Sequence, residues 1–397
     1  MSRIGSRWLD FAAAGLWLCF LIYLVARSGG FGWDFHVYQQ AAQALLAGRD
    51  PLEDPYLVHV GGVKTYLPFI YPPLTLLPFL PFAFLSKTAA YLIWVPLQIG
   101  GFALLARVWK RSFLVFPLNG KWGLFLLLAF NASLYTCFAT GNFALFEGVV
   151  LFLAMEALLK KRDYACSAWI VLAACFKMQP ILYLGLLLWL GGKDRVRAAA
   201  YGMLAFILYA GANLALFPRS TFEMLQGAMS REDSRSNNPS LLAFAEDFTS
   251  RAPIADAKIV YLLLAGLILA VSVFALRRWN EPDPALRLLF VMLTISLVLP
   301  RFMIYSYIQT IPVAWIVLTR LRGIAKWSCA ALVCVVLPFS YLLIVRPSLS
   351  ILWEHALGMQ AGVWGYASLY GAILVWAVFL TKVVSPPIRL GQSVETA

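Results

Sequence analysis

Apolar runs of about 20 residues, the length that crosses a bilayer as a helix, recur along this chain from Trp8 to Thr381, and nothing else in it limits the fold as strongly. At about 1.5 Å rise per residue, such a run covers a hydrocarbon core of about 30 Å. Every backbone N–H and C=O inside lipid must find its partner within the protein, which leaves helices as the only form open to runs of this length. The composition agrees, with 61% hydrophobic and 13% charged residues, where soluble domains carry roughly 25% charged. The expectation is an all-α polytopic membrane protein, with residues 1–397 forming a single transmembrane domain.

The runs place spans at 8–26, 89–107, 121–138, 143–159, 164–176, 180–191, 197–217, 257–276, 286–299, 306–319, 327–345 and 363–381, about twelve transmembrane helices. The first follows Arg3 and Arg7, no small-x-small cleavage site comes after it and further spans do, so it reads as an uncleaved helix. The net charge of +13 is scattered in short clusters between runs, such as Arg107/Lys110/Arg111, Lys160/Lys161/Arg162, Lys193/Arg195/Arg197 and Arg320/Arg322/Lys326. That pattern is a positive-inside bias, placing both termini in the cytoplasm and making membrane lipid, not nucleic acid, the partner. Residues 71–85 are apolar but short and carry Pro72, Pro73, Pro78 and Pro81, so they are expected to form a re-entrant element on the outer side. Three outer loops remain, at 27–70, 218–256 and 346–362. In the first, Phe35, Tyr38, Ala42 and Leu45 fall at helical spacing ahead of Gly48, as in an amphipathic helix lying on the membrane surface. All six cysteines lie in apolar runs, and no disulfide framework is suggested.

Candidate chemistry gathers on the outer face. Asp34 follows Trp33 at the exit of the first span, where it could cap the helix it opens or serve as a general base, since partial burial raises a carboxylate's basicity. Lys177, between two short spans, either snorkels to water or meets a phosphate, and Arg301 after Pro300 has a planar fork that suits a phosphate bidentately. Asn142 either caps a helix or bonds a sugar hydroxyl, and Asn238 before Pro239 carries turn chemistry. Asp50, Glu53 and Asp54 form an acidic turn without an Asp-x-Asp pair, and His36, His59 and His355 are dispersed, so neither a metal nor a cofactor is expected.

The order of these motifs resembles glycosyltransferase family 87, the polyprenol-phosphate-mannose-dependent mannosyltransferases of the GT-C fold. The likeness runs through Asp34-x-x-x-Tyr38, Phe69-x-Tyr71-Pro72-Pro73, Gly141-Asn142, Lys177 with Pro180, Asn238-Pro239-Ser240 and Pro300-Arg301. It implies a GT-C-like bundle in a bacterial inner membrane, moving a hexose from a polyprenyl-phosphate-linked sugar donor to a lipid or glycan acceptor. Asp34 would be the catalytic base, Lys177 and Arg301 the donor phosphate contacts, and Tyr38, Tyr71, Asn142 and Asn238 substrate contacts. The competing expectation is a transporter or lipid flippase, which also uses broken helices and buried polar groups.

Overall fold

The helices begin and end where the sequence supplies caps. Ser86 accepts the Ala89 N–H at the start of one long helix, whose last turn carries Lys110 and Arg111 against its negative end. Asn119, Asp256 and Asp283 cap three others in the same way. The computed structural model describes residues 3–26, 31–53, 55–60, 63–114, 119–230, 238–251, 256–279, 283–334 and 365–382. The expected outer loop at 346–362, along with Asp54 and His355, lies outside the described residues.

In chain order the helices are α1 (Arg3–Ala26), α2 (Trp33–Leu46), α3 (Leu80–Ala83), α4 (Lys87–Ser112), α5 (Gly120–Thr140), α6 (Ala144–Leu159), α7 (Asp163–Phe176), α8 (Leu184–Leu190), α9 (Lys193–Leu216), α10 (Pro218–Ser230), α11 (Leu241–Arg251), α12 (Ala257–Arg277), α13 (Pro284–Val298), α14 (Ile311–Arg320), α15 (Gly323–Val333) and α16 (Ala367–Lys382). Turns of 3-10 helix lead into α3 (Pro73–Phe79), α8 (Gln179–Tyr183) and α14 (Ile304–Thr310). The all-α reading therefore stands, and the sixteen helices among the described residues do not reduce to the expected twelve, since the runs at 180–191 and 306–319 each open with a 3-10 turn and residues 335–345 of the run at 327–345 lie outside the described residues. Among the described residues α4, α5, α9 and α12 are long and apolar enough to cross a membrane. α6 packs between α4 and α7, α7 lies against α9, and the 304–310 turn is wedged against α5, α6 and α13.

One feature agrees with the sequence-based expectations and three differ. Residues 73–83 form a 3-10 turn and one short helix, too short to cross about 30 Å of hydrocarbon alone. α2 does not lie with one apolar face on a membrane surface. Phe35, Tyr38, Ala41 and Ala42 are buried, and Gln39 on the same helix is buried as well, donating to the Phe82 and Leu85 carbonyls. Side-chain amides thus fasten α2 to the chain around α3, and the helix is enclosed by protein. A β-hairpin, β1 (Tyr56–Val60) against β2 (Val63–Leu67), pairs antiparallel and covers α2. Finally, α5 is two helical segments joined at Ala129–Ala132, where Phe130, Asn131 and Ala132 take left-handed conformations rarely adopted by residues with a side chain. Ser368 Oγ donates to the Phe130 carbonyl at 2.9 Å, giving one of the interrupted backbone groups a partner.

Candidate active site

The site is assembled by two glycines that let separate chain segments touch. Gly32 and Gly141 both have left-handed φ, at 72° and 69°. A Cβ on Gly32 would lie 2.3 Å from the Tyr91 ring, and one on Gly141 would lie 2.9 Å from Phe35 Cβ and 3.0 Å from Gly32 Cα. Only residues without a side chain fit this approach. The Gly32 N–H donates to the Ala139 carbonyl at 2.8 Å, and Trp94 Nε1 donates to the Gly141 carbonyl at 3.0 Å while its ring stacks on Phe35. The start of α2 is thereby clamped to the turn between α5 and α6.

That clamp brings Asp34 to Asn142. The Asn142 side-chain amide donates to Asp34 Oδ2 at 2.8 Å and to the Tyr38 hydroxyl at 2.9 Å, while its own oxygen accepts the Ala144 N–H at 2.9 Å. With its oxygen committed to the backbone, the amide must present its NH2 to the carboxylate, which fixes how Asp34 points. Gly32, not Asp34, occupies the cap position of α2, so capping does not compete for the carboxylate. Burial raises the Asp34 pKa to about 6, and the Asn142 hydrogen bond and the Lys177 charge pull part of the way back.

Lys177, in the extended link between α7 and the 179–183 turn, aims its ammonium into the same space. Its Nζ lies 2.8 Å from Glu147 Oε2 and 3.5 Å from Ser306 Oγ, over the faces of Tyr305 and Phe143 at 4.9 and 5.4 Å from the ring centroids. Cation–π contact and an ion pair together keep a charge in a site where little water reaches it. Tyr71 packs on Tyr38 and Phe143 and is electrostatically coupled with Lys177, Tyr38 and Tyr305.

Asp34, Tyr38, Tyr71, Asn142 and Lys177 thus meet in one place. Arg301 stands at its edge, within electrostatic reach of Tyr305, its carbonyl accepting from Gln179 Nε2 at 2.9 Å. Asn238 lies one layer behind. Its oxygen accepts the Phe302 N–H at 3.0 Å, Ser240 Oγ donates to the Pro300 carbonyl and Tyr307 donates to the Pro239 carbonyl. The Asn238-Pro239-Ser240 motif therefore grips the 300–307 segment that presents Arg301 and Tyr305. Glu147, which sequence reasoning passed over, is one of two acids in the otherwise apolar run 143–159, and unlike Glu156 it has no lysine four residues on, which was the available signal.

Residues 69–300 match glycosyltransferase family 87. Over the whole chain and 97% of the relative, the sequence is 25% identical to a polyprenol-phosphate-mannose-dependent alpha-(1-2)-phosphatidylinositol mannoside mannosyltransferase of Mycobacterium tuberculosis. Among solved structures, ArnT from Cupriavidus metallidurans in the apo state aligns over 94% of this chain and 78% of its own, at 13% identity and a TM-score of 0.39. Tyr71, Asn142, Lys177 and Asn238 fall inside the matched stretch, Arg301 follows it directly, and Asp34 and Tyr38 precede it. With well over half of its length matched, and with apolar helices long enough to cross a membrane, the protein belongs to glycosyltransferase family 87 and is a membrane glycosyltransferase.

Proposed function

We propose that the chain moves a hexose, mannose in our reading, from a polyprenyl-phosphate donor to a hydroxyl of a lipid or glycan acceptor. The reaction takes place on the outer face of a bacterial inner membrane, in a GT-C-like bundle of about twelve spans with both termini in the cytoplasm. The observation that carries the reading is the Asp34 carboxylate, aimed by Asn142 and within electrostatic reach of a buried Lys177.

The chemistry follows from those groups. Asp34 takes the proton of the acceptor hydroxyl as that oxygen attacks the anomeric carbon. The bond from that carbon to the phosphate oxygen breaks, and its electron pair leaves on the lipid phosphate. Lys177 and Arg301 stabilise the growing negative charge, an electrostatic effect strengthened where water is excluded. The phosphate is a good leaving group and needs no acid. One displacement by one oxygen inverts the anomeric centre, by analogy with single-displacement glycosidases. Tyr38, Tyr71, Asn142 and Asn238 were expected to bind substrate. In our reading Tyr38, Asn142 and Asn238 spend polar groups on protein partners and hold the site in shape, and Tyr71, itself hydrogen-bonded with Tyr38 and Tyr305, lines the same space. The transporter alternative gains no support from the family match.

The test is Asp34→Asn, assayed with polyprenyl-phosphate mannose on purified, monodisperse protein. Removing a general base lowers turnover typically about 10² to 10⁴-fold, so kcat should fall by at least roughly 10²-fold. A carboxylate must be unprotonated to act as a base. Wild-type kcat should therefore drop as pH falls through about 6, and the residual activity of the Asn variant should show no such step. Turnover within a few-fold of wild type would remove Asp34 from this role.

A further inference from the structure

Lys177 needs a counterion before any phosphate arrives, and the fold provides one. Glu147 stands in the first turn of α6, five residues after Asn142, so it sits about one helical turn further along than the amide that aims Asp34. Its side chain is 6% exposed and that of Lys177 is 11% exposed, so both charges are almost out of water. One Glu147 oxygen lies 2.8 Å from Lys177 Nζ. The other is 3.5 Å from Gln309 Nε2, a long contact from a buried amide.

An ammonium has three donors. Here one faces Glu147 and one reaches Ser306 at a long 3.5 Å. The surroundings beyond these are the faces of Tyr305 and Phe143, which attract a cation without consuming a hydrogen bond. Lys177 is thus held charged by one strong partner while keeping capacity for another anion.

We propose that Glu147 is a positioning residue for the donor phosphate. It keeps Lys177 charged and aimed into the empty site, and shares the ammonium with the lipid phosphate once the donor has bound. The inference rests on the reading of Lys177 as a phosphate contact. The groups facing Lys177 are Asp34 on α2, Tyr71 ahead of the 73–79 turn, Cys137 on α5, Glu147 on α6 and Tyr305 on the 304–310 turn, with Tyr183 beside Glu147. Among these Glu147 is the carboxylate in direct contact. Burial works against the charge on Lys177, and Glu147 more than offsets it, so the lysine stays above its ordinary value. With Glu147 neutral, burial prevails and the lysine falls below its ordinary value.

The experiment measures donor KM and kcat for wild type, Glu147→Gln, Glu147→Asp and Lys177→Ala in nanodiscs. Polyprenyl-phosphate mannose is the donor, and the pH runs from about 7 to about 9, above the Asp34 transition and below the ordinary lysine value. Wild-type donor KM should be flat across this window. In Glu147→Gln it should climb about tenfold as Lys177 loses its proton, the change expected per pH unit above a titration, with kcat falling along the same pH slope because a neutral amine no longer stabilises the departing phosphate. Glu147→Asp, which keeps the charge at shorter reach, should restore most of the flat profile. A flat donor KM in Glu147→Gln overturns the proposal, as does a loss of kcat and KM together without a pH slope. Should the Gln variant fail to fold, a Glu147→Asp profile as flat and as low as wild type supports the proposal, and a loss of kcat alone overturns it. If Lys177→Ala leaves donor KM unchanged, the phosphate reading itself fails. If it raises KM at every pH while Glu147→Gln stays flat, only the role of Glu147 fails.

Discussion

Two glutamates on α6, nine residues apart, are equally buried and differ in what surrounds them. Glu147 and Glu156 each show 6% side-chain exposure. Glu156 meets three donors. Arg111 pairs with one oxygen, while Lys160 at 2.8 Å and Ser112 at 2.7 Å take the other, and both cations keep about half of their side chains in solvent. Glu147 has one cation, itself nearly buried, and one long amide contact. A buried carboxylate with both oxygens bonded to three protein donors ties helices together. One that shares a single desolvated cation leaves that cation able to take a second anion, and so a substrate can enter the arrangement. Burial and residue type alone therefore do not separate scaffold from site. The number of committed partners does.

In the proposed topology the two ends of α6 lie on opposite sides of the membrane, and the largest effect available tests that. A reporter inserted at Lys161 should read cytoplasmic and one at residue 235 should read the opposite side, an all-or-none difference. The same side at both positions would overturn that topology. Next in size is Lys177→Ala, which removes a charge-assisted contact to the donor. Such contacts are worth about 1.5 to 3 kcal/mol, so donor kcat/KM should fall by roughly ten- to a hundredfold. Unchanged donor kinetics would make the Glu147 end as structural as the other. The smallest catalytic effect belongs to Glu156→Gln. It should lower the thermal midpoint of purified protein by loosening α4 from α6, while kcat/KM stays within a few-fold. Lost activity at an unchanged midpoint would mean that the Glu156 cluster also serves the reaction.

The helices were legible because unbroken apolar runs admit no other structure in lipid, and Pro72, Pro73, Pro78 and Pro81 correctly marked a segment that does not extend as one long helix. The meeting of Asp34, Asn142 and Lys177 was legible in outline, since each interrupts an apolar run on one face of the expected topology. Their roles were not. Asn142 read as a cap or a sugar contact, and its commitment to both Ala144 and Asp34 depends on a chain segment more than a hundred residues away. The burial of α2 was hidden for the same reason, because its second face is covered by α3 and the hairpin, and no periodicity within α2 reports that. The hairpin did leave a signal in Gly61-Gly62 between two β-branched residues, a two-residue turn pattern overlooked among the apolar runs.

The contact between Gly32 and Gly141 also bears on how relatives of this enzyme can be found. An acid at the end of a first span is common among membrane proteins and says little alone. Here the acid meets Asn142 because the chain beside it reaches the α5–α6 turn through two positions that exclude any Cβ. The diagnostic pattern is therefore a spaced pair, Gly32-x-Asp34 early in the chain and Gly141-Asn142 after two further long apolar segments. A genome search for the pair would pick out chains able to aim such a carboxylate even where overall identity has decayed. A chain that keeps the acid but carries a side chain at either glycine would be recognised as one that has lost this geometry.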